Sequence, residues 1–285
     1  ISDTLAIDYS IEADAAGVHL VIDTDFGLPS LNRNGRALGG HMDSAVEAGG
    51  SAGIGRLLAY LGNMRADDLE LYHYVFEELN PEPHLAPFQA QLSSANSFAD
   101  DLFNCGGPVS RPDDQCVWSQ LEMTGRSRDA TFENFNVEAN SMRFSGGFEQ
   151  AQGNDWSIAA AMSYENTQPM AVDGQRARTE GEGFSVGIGV ERNPAAGPYY
   201  GAALSGGWSW WETQRAVNVF EPLVGVSDPE TGYVRLGGHV GETFRHGSVF
   251  ARPQLSASLT ALYHNGLAEE GLEGIGVEVL SDKEL

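Results

Sequence analysis

Length, composition and charge narrow the classes of protein to which the chain can belong. It has 285 residues, a formal net charge of -24 and 35 glycines. Such acidity argues against nucleic acid or anionic lipid headgroups as partners through a basic face, because that binding depends mainly on Lys and Arg. No run of about 18 apolar residues occurs, so the sequence predicts no transmembrane helix.

The first 30 residues carry two short segments with strand periodicity. Apolar and polar residues alternate over 5–11, and residues 18–22 form a second β-rich run. Two strands alone are marginally stable in water. We therefore interpret this part as the end of a larger β-rich domain. The chain begins with Ile1 and shows no secretory signal, so we expect it to be a piece of a longer protein.

Residues 31–84 have helical periodicity. Asn34 is predicted to cap a helix, a glycine-rich break follows at 49–55, and a further helix starts near residue 67 and ends before Pro81. The three histidines of this segment lack the spacing of metal ligands, and we expect surface or interface positions for them: His41, His73 and His84.

A helix over residues 85–104 is the next predicted element. Its apolar residues recur at spacings of three and four, which places them on one face: Leu85, Phe88, Leu92, Ala95, Ala99 and Leu102. The other faces carry amides, hydroxyls and the carboxylates of Asp100 and Asp101. This helix is too polar for contact with lipid tails, whereas a water-filled lumen would suit it.

From residue 116 to the C-terminus the dominant signal is alternation with period two, which is typical of strands of about ten residues or more. Between Trp156 and Glu165, for example, one face is apolar and the other is small or polar. Eight strands are predicted, near residues 117–124, 138–149, 155–165, 182–191, 199–211, 232–244, 249–263 and 275–280.

Three features of these strands predict a transmembrane β-barrel. Short connections alternate with long ones, such as 166–178 and 212–229. The polar face is rich in Gly, Ser and Ala and carries isolated charges, as the wall of a wet lumen would: Glu122, Arg143, Glu149, Arg235 and Arg252. The apolar face has aromatic residues near strand ends, where a membrane interface would lie: Trp156, Tyr164, Tyr200, Trp208 and Tyr263.

Several short motifs, taken in their order along the chain, resemble a known family. They are Leu-Asn-Pro-Glu-Pro at 79–83, Ser-Phe-Ala-Asp-Asp-Leu at 97–102, the two cysteines, and Phe-Ser-Gly-Gly-Phe-Glu at 144–149. This order is similar to the C-terminal translocator region of autotransporters, the type V secretion proteins of Gram-negative bacteria.

The resemblance implies a division of the chain. Residues 1–30 would end a β-rich passenger, 31–84 would form a helical junction, 85–104 a pore helix, 105–115 a periplasmic link, and 116–285 the barrel. The family's barrels are antiparallel and up-and-down with about twelve strands. An eight-stranded barrel is filled by its own side chains and could hardly hold a helix. We therefore expect about four further strands that this chain lacks.

The resemblance also implies a function. The chain would be an outer-membrane translocator that secretes its own N-terminal passenger and anchors it at the cell surface, with the pore sealed by the internal helix. Its partners would be outer-membrane lipid, the passenger, the barrel-assembly machinery and periplasmic chaperones, without nucleic acid. The alternatives are a barrel that anchors a surface adhesin or structural domain, and a barrel that anchors an upstream passenger hydrolase.

The resemblance places both cysteines, Cys105 and Cys116, on the periplasmic side, where a disulfide can form. Such a bond would contribute about 3 kcal/mol, and two free thiols are the alternative. The sequence has no nucleophile, zinc or phosphate-binding motif, so we predict no catalytic, metal or cofactor site. Autoproteolytic release of the passenger stays open, because six residues around the helix have suitable chemistry: Asn96, Asn104, Asp100, Asp101, Glu122 and Glu149.

Overall fold

The computed structural model describes residues 4–14, 17–49, 52–105, 115–132, 134–153, 155–172, 176–194, 196–246, 249–272, 275–279 and 283–284. Along the chain it has a β-hairpin, a helical region and a large antiparallel sheet. The hairpin consists of β1 (Ile7–Asp14) and β2 (Gly17–Thr24), which pair over their whole length.

In the described residues, four α-helices follow the hairpin: α1 (Arg33–Glu47), α2 (Ala52–Leu61), α3 (Leu69–Leu79) and α4 (Ala86–Asp101). Short 3-10 turns at Ala66–Asp68 and Glu82–Leu85 precede α3 and α4. We call α1, α2 and α3 the helical cap. The predicted cap residue Asn34 was wrong, because Asn32 is the extended residue before the helix and its Oδ1 accepts a hydrogen bond of 2.8 Å from the Gly35 amide.

The long strands that the structure describes in the wall of the large sheet are β3 (Gln115–Arg128), β4 (Val137–Gly153), β5 (Trp156–Val172), β6 (Ala177–Arg192), β7 (Gly197–Val217), β9 (Glu230–His246), and β10 (Val249–Ala251) followed by β11 (Gln254–His264). Each pairs with its neighbour in chain order, while β8 (Leu223–Ser227) returns along the end of β7. Within the described residues, β3 pairs only with β4. The predicted continuous strand at 249–263 is interrupted at Pro253, which has no amide hydrogen for the ladder.

The last predicted strand, 275–280, was placed wrongly. β12 (Leu267–Ala268) and β13 (Glu278–Val279) pair with each other in a small separate sheet, and residue 280 lies outside the described residues. The next strand on the wall is β14 (Lys283–Glu284), which pairs with β11. The Glu269 amide donates to the Val277 carbonyl oxygen, which links the residues after β12 to those before β13, and Glu270 forms a β-bridge with Val226 of β8.

The predicted long connections are mostly strand. β5 and β6 extend through most of 166–178, and β7 and β8 cover most of 212–229. Alternating burial continues along these extensions, since Met170, Val172 and Ala177 are buried. We call the end of the sheet with these connections the outer end and the opposite end the inner end.

The outward face of the wall is an apolar band of membrane height. One row of its residues runs in register across six neighbouring strands: Phe144, Tyr164, Phe184, Trp208, Gly232 and Tyr263. A second aromatic pair, Trp156 and Tyr200, lies near the inner end, with ring centroids 5.5 Å apart. Trp156 and Tyr164 are eight residues apart on β5, which spans about 27 Å at a rise of about 3.4 Å per residue. Outer-membrane barrels have an outward apolar band about 25 Å tall.

One hydrophobic core joins the hairpin end, the helical cap and the outer end of the sheet. Phe26, Tyr72 and Phe76 are fully or nearly fully buried in it, together with Val217 of β7 and Leu272 of the β12–β13 connection. The Tyr72 hydroxyl donates to the Phe26 carbonyl oxygen at 2.8 Å. The cap therefore packs on the outer end of the sheet. None of the described helices has the length and apolar character needed to cross a bilayer.

Candidate functional site

Helix α4 lies against the inward face of the sheet, where it contacts β5, β6, β7 and β9. Its buried side differs from the predicted apolar face, because Leu85 and Leu92 are 50% and 41% exposed. The side chains that meet the wall are those of Gln91, Ala95, Phe98 and Leu102. The inward face of the wall is made of small and polar residues. Steric fit and hydrogen bonding to these residues, rather than apolarity alone, therefore determine which face of α4 packs against the wall.

Glycines on β6 make room for the bulky side chains of α4 and of the two residues that follow it. A methyl group added at Gly187 would lie 2.9 Å from Cε1 of Phe98 and 3.0 Å from Cδ2 of Leu102. At Gly189 an added Cβ would overlap the ring of Phe103. These positions need glycine because the helix approaches the strand closely. The inward face of β6 is thus a shallow groove that fits the inner half of α4.

A buried ion pair connects the helix to β4, two strands away from β6 in the same wall. Asp101 accepts a hydrogen bond of 3.0 Å from the Ser145 hydroxyl, and its Oδ2 lies 3.2 Å from Nη2 of Arg143. Arg143 also pairs with Glu122. The side chains of Arg143 and Asp101 are 5% and 9% exposed, so each charge depends on its partner for the hydrogen bonds that water would otherwise supply.

Neutral hydrogen bonds fix the outer half of the helix. The Trp211 indole N–H donates to Oγ1 of Thr231 at 2.8 Å, and that hydroxyl donates to Oε1 of Gln91 at 3.0 Å. All three side chains are buried. Arg235, four residues after Thr231 on β9, donates to the side-chain oxygen of Asn96. The helix is therefore held by specific contacts along its whole length.

At the inner end, Cys105 and Cys116 form a disulfide, as predicted, with their Cα atoms 5.8 Å apart. It links the residues after α4 to the start of β3. Beside it, Nδ2 of the Asn104 side chain donates to Oε1 of Gln120 at 2.8 Å. The helix end is thus fixed both covalently and by hydrogen bonding.

The predicted lumen charges all lie on inward positions of the wall, but only one meets the helix carboxylates. Among these residues, Arg143 pairs with Asp101, while Asp100 is exposed. Arg252 instead lies over the Tyr199 ring at 3.8 Å and donates to Oδ1 of Asn193 at 2.6 Å. The carboxyl groups of Glu122 and Glu149 face inward. Oε2 of Glu149 is buried without a hydrogen-bond partner among the described residues.

The remaining predicted pore-helix residues have smaller roles. Phe88 makes an edge contact with His264, with ring centroids 5.0 Å apart, and Ala99 is partly buried. Sequence reasoning missed Phe98, the fully buried aromatic residue of α4. The glycines at 187 and 189, which alternate with apolar residues on β6, were the signal that a bulky group packs there.

The outward aromatics lie in two groups. Trp156 and Tyr200 are together near the inner end, while Trp208 stacks on Tyr263 near the outer end with ring centroids 5.3 Å apart. The hydroxyl of Tyr164 donates to Glu182 at 2.5 Å, just beyond the apolar band. This arrangement has the form of two aromatic girdles with an apolar band between them. No cluster of metal-binding side chains occurs within the part of the chain that the structure describes.

Comparison with known proteins agrees with this geometry. A model of the autotransporter beta-domain family matches residues 117–284. The structure is similar to the translocator domain of autotransporter NalP from Neisseria meningitidis, with a TM-score of 0.56 and 13% sequence identity. The match covers 70% of this chain and 66% of that one. A search of curated protein sequences found no significant match.

The chain belongs to the autotransporter beta-domain family, since the family model matches more than half of it. The predictions of family, of a mainly β barrel-type translocator fold, and of a Gram-negative outer-membrane location are thereby confirmed. The chain spans 66% of the length of the NalP translocator domain.

Proposed function

We propose that this chain transports its own passenger across the outer membrane and afterwards anchors it at the cell surface, with α4 left in the lumen as the seal. The observation that carries the proposal is the fit of α4 to the inward face of the wall. Phe98 and Leu102 pack against glycine, and Asp101 is paired with a buried arginine. A wall built only to conduct solutes would not need these contacts.

The mechanism is physical. Strand pairing satisfies the backbone of the wall, which lets it stand in lipid. Its inward face is lined by Gly, Ser and Thr, which offer hydrogen bonds and little bulk to an extended chain passing through. When the last part of the passenger has left, α4 occupies the lumen and its side chains find fixed partners. We propose no catalytic residue and no cofactor in this process.

We also propose the division of the chain that the resemblance implies. The hairpin of β1 and β2 would be the end of the passenger, and α4 would be the pore helix with its inner end toward the periplasm. Outer-membrane lipid would contact the apolar band. Insertion would use the barrel-assembly machinery and periplasmic chaperones, because the exposed apolar faces of the strands need protection before they reach the membrane.

Replacing residues 86–101 with a Gly/Ser linker of equal length tests the proposal. The variant protein in a planar lipid bilayer should conduct ions, while the unaltered protein stays closed. A matched control carries Leu92→Ala, because that side chain is 41% exposed and should leave the bilayer closed. Unchanged conductance of the linker variant would show that α4 is not the seal. An epitope placed before β1 should also become accessible to protease on intact cells, and its retention inside would contradict passenger transport.

A further inference from the structure

The segment between α3 and α4 is polar but almost completely buried. Glu78, Asn80, Glu82 and His84 are each no more than 6% exposed. We call residues 78–84 the collar. Burial of polar side chains is unfavourable unless they find hydrogen-bond partners. Most of the partners of the collar come from the outer end of the sheet rather than from the helical cap.

Arg215 and Glu269 form the centre of these contacts. Arg215, near the outer end of β7, donates from Nη1 to the Glu78 carbonyl oxygen at 2.7 Å. Its Nε and Nη2 donate to the two carboxylate oxygens of Glu269 at 2.8 and 2.6 Å, which is the strong two-pronged geometry of an Arg–carboxylate pair. Nε2 of His84 lies 2.9 Å from Oε1 of the same carboxylate. We call Arg215, Glu269 and His84 the outer clamp.

The clamp carboxylate is buried and ionised. Burial alone would raise the pKa of Glu269. Hydrogen bonds from His84 and Arg215, the positive charge of Arg215 and the Val277 amide more than offset that effect, and they hold the pKa at about 2. The side chains of Arg215 and Glu269 are 3% and 0% exposed. A charge pair this deeply buried depends on each of its partners.

Other outer connections of the sheet contact the collar as well. The Glu78 carboxylate accepts from the Asn218 amide at 2.7 Å and pairs with Arg176 at 3.0 Å. The Glu82 carboxylate accepts from the Phe135 amide at 3.0 Å and from Arg128 at 2.6 Å. The contacts thus come from the β3–β4, β5–β6, β7–β8 and β12–β13 regions. The collar is surrounded by the barrel rim.

The opposite end of α4 is held by a different kind of bond. The disulfide between Cys105 and Cys116 joins it to β3. The helix has 16 residues, or about 24 Å at 1.5 Å per residue, so the two attachments are separated by nearly the thickness of the hydrocarbon core.

We propose that the outer clamp and the disulfide are two independent anchors of the pore helix, and that either one alone keeps α4 in the lumen. The proposal rests on the proposed function, in which α4 is the seal. It assigns Arg215, Glu269 and His84 a positioning role at the outer mouth. Force on a displayed passenger would then pass into β7 and the barrel rim through the clamp, and reduction of the disulfide would not open the pore.

A two-by-two experiment tests the independence of the anchors. Arg215→Met removes the clamp, and Cys105→Ser with Cys116→Ser removes the disulfide, each in the full chain. Arg178→Met is the matched control, because Arg178 also lies at the outer end but is 61% exposed and pairs with Glu180 two residues along the same strand. Heat-dependent mobility on gels checks that each barrel is folded. Glu269→Gln and His84→Ala repeat the test if the Arg215 variant does not assemble.

The protein with either anchor removed should stay closed in a planar bilayer. Removal of both should raise the open fraction by about tenfold or more. The Arg178 control should stay closed with or without the disulfide. Opening of the pore after loss of one anchor alone would overturn the proposal of two independent anchors. A double variant that stays closed while the Gly/Ser linker variant conducts would also overturn it, but the proposed function would survive that result. A linker variant that does not conduct would overturn the proposed function and the clamp proposal with it.

Discussion

Truncation of Phe98 should loosen the pore helix more than any other single change on α4. Its ring is fully buried and packs with Leu102 against Gly187, with Ala161 and Trp118 nearby. Phe→Ala changes at buried sites cost about 3–5 kcal/mol. Since each 1.4 kcal/mol is a factor of ten, Phe98→Ala should shift the equilibrium between packed and released helix by about 100- to 4,000-fold.

Amide hydrogen exchange measures that shift, because the exchange rate of a protected amide follows the free energy of local opening. The full chain would be compared in lipid nanodiscs with and without the change, and peptides from residues 91–101 would be followed by mass spectrometry. Both anchors stay intact in this variant, so the helix loosens without leaving the lumen. Exchange of these amides should accelerate by the factor given above, while β5 and β6 peptides should change little.

Two further variants control the comparison. Phe98→Leu keeps most of the apolar volume and should cost less than about 1.5 kcal/mol. Leu92→Ala removes a side chain that is 41% exposed and should have a smaller effect than Phe98→Ala. If Phe98→Ala accelerates exchange no more than Leu92→Ala does, the contact with Gly187 does not hold the helix.

Three other changes have expected outcomes. Gly187→Leu should overpack the groove at a cost of about 1–3 kcal/mol and accelerate exchange of the same α4 peptides; unchanged protection would show that the strand has room. Asp101→Ala should leave Arg143 with Glu122 alone, cost about 1–3 kcal/mol, and lower the melting temperature of the folded protein; an unchanged melting temperature would contradict this. The pKa of Glu269, at about 2, is below its ordinary value of 4.5. The ionised carboxylate therefore stabilises the folded state at neutral pH, and this stabilisation is lost as the pH falls from 4.5 to about 2. Exchange of α3 peptides should therefore rise between pH 4.5 and about 2, and Glu269→Gln should remove that dependence; equal pH profiles would refute it.

The strands of the wall could be predicted because period two is a local signal. Residues 156–164 alternate so regularly that the two faces of the strand and its interfacial aromatic residues follow from the sequence. Strand ends were less predictable, as at residues 166–178, where Met170 and Val172 continue the alternation after a bulge. The disulfide and the family were also accessible, since the order of motifs carries both.

Contacts between distant segments could not be predicted in the same way. The buried face of α4 depends on glycines about ninety residues later, and apolar periodicity alone selected Leu92 rather than Phe98. The outer clamp joins residues separated by 185 positions, as in the bond between His84 and Glu269. Local patterns contain no information on such pairs, because their charges look like ordinary surface charges until burial gives them partners. The strand predicted at 275–280 was placed wrongly for the same reason, because the pairing of β13 with β12 is not visible in local alternation.

The most direct test of the central claim is labelling of single engineered cysteines on intact cells with a thiol reagent that does not cross the membrane. The two native cysteines form a disulfide and should not react. The two substitutions are Glu221→Cys and Ala196→Cys. Glu221 is exposed in the β7–β8 connection at the outer end, and Ala196 is exposed in the turn before β7 at the inner end. The account predicts that the cysteine at position 221 is labelled on intact cells and that the one at 196 reacts only after the outer membrane is permeabilised. The reverse pattern, or equal labelling of both on intact cells, would contradict a translocator with its helical cap outside and its pore helix in the membrane.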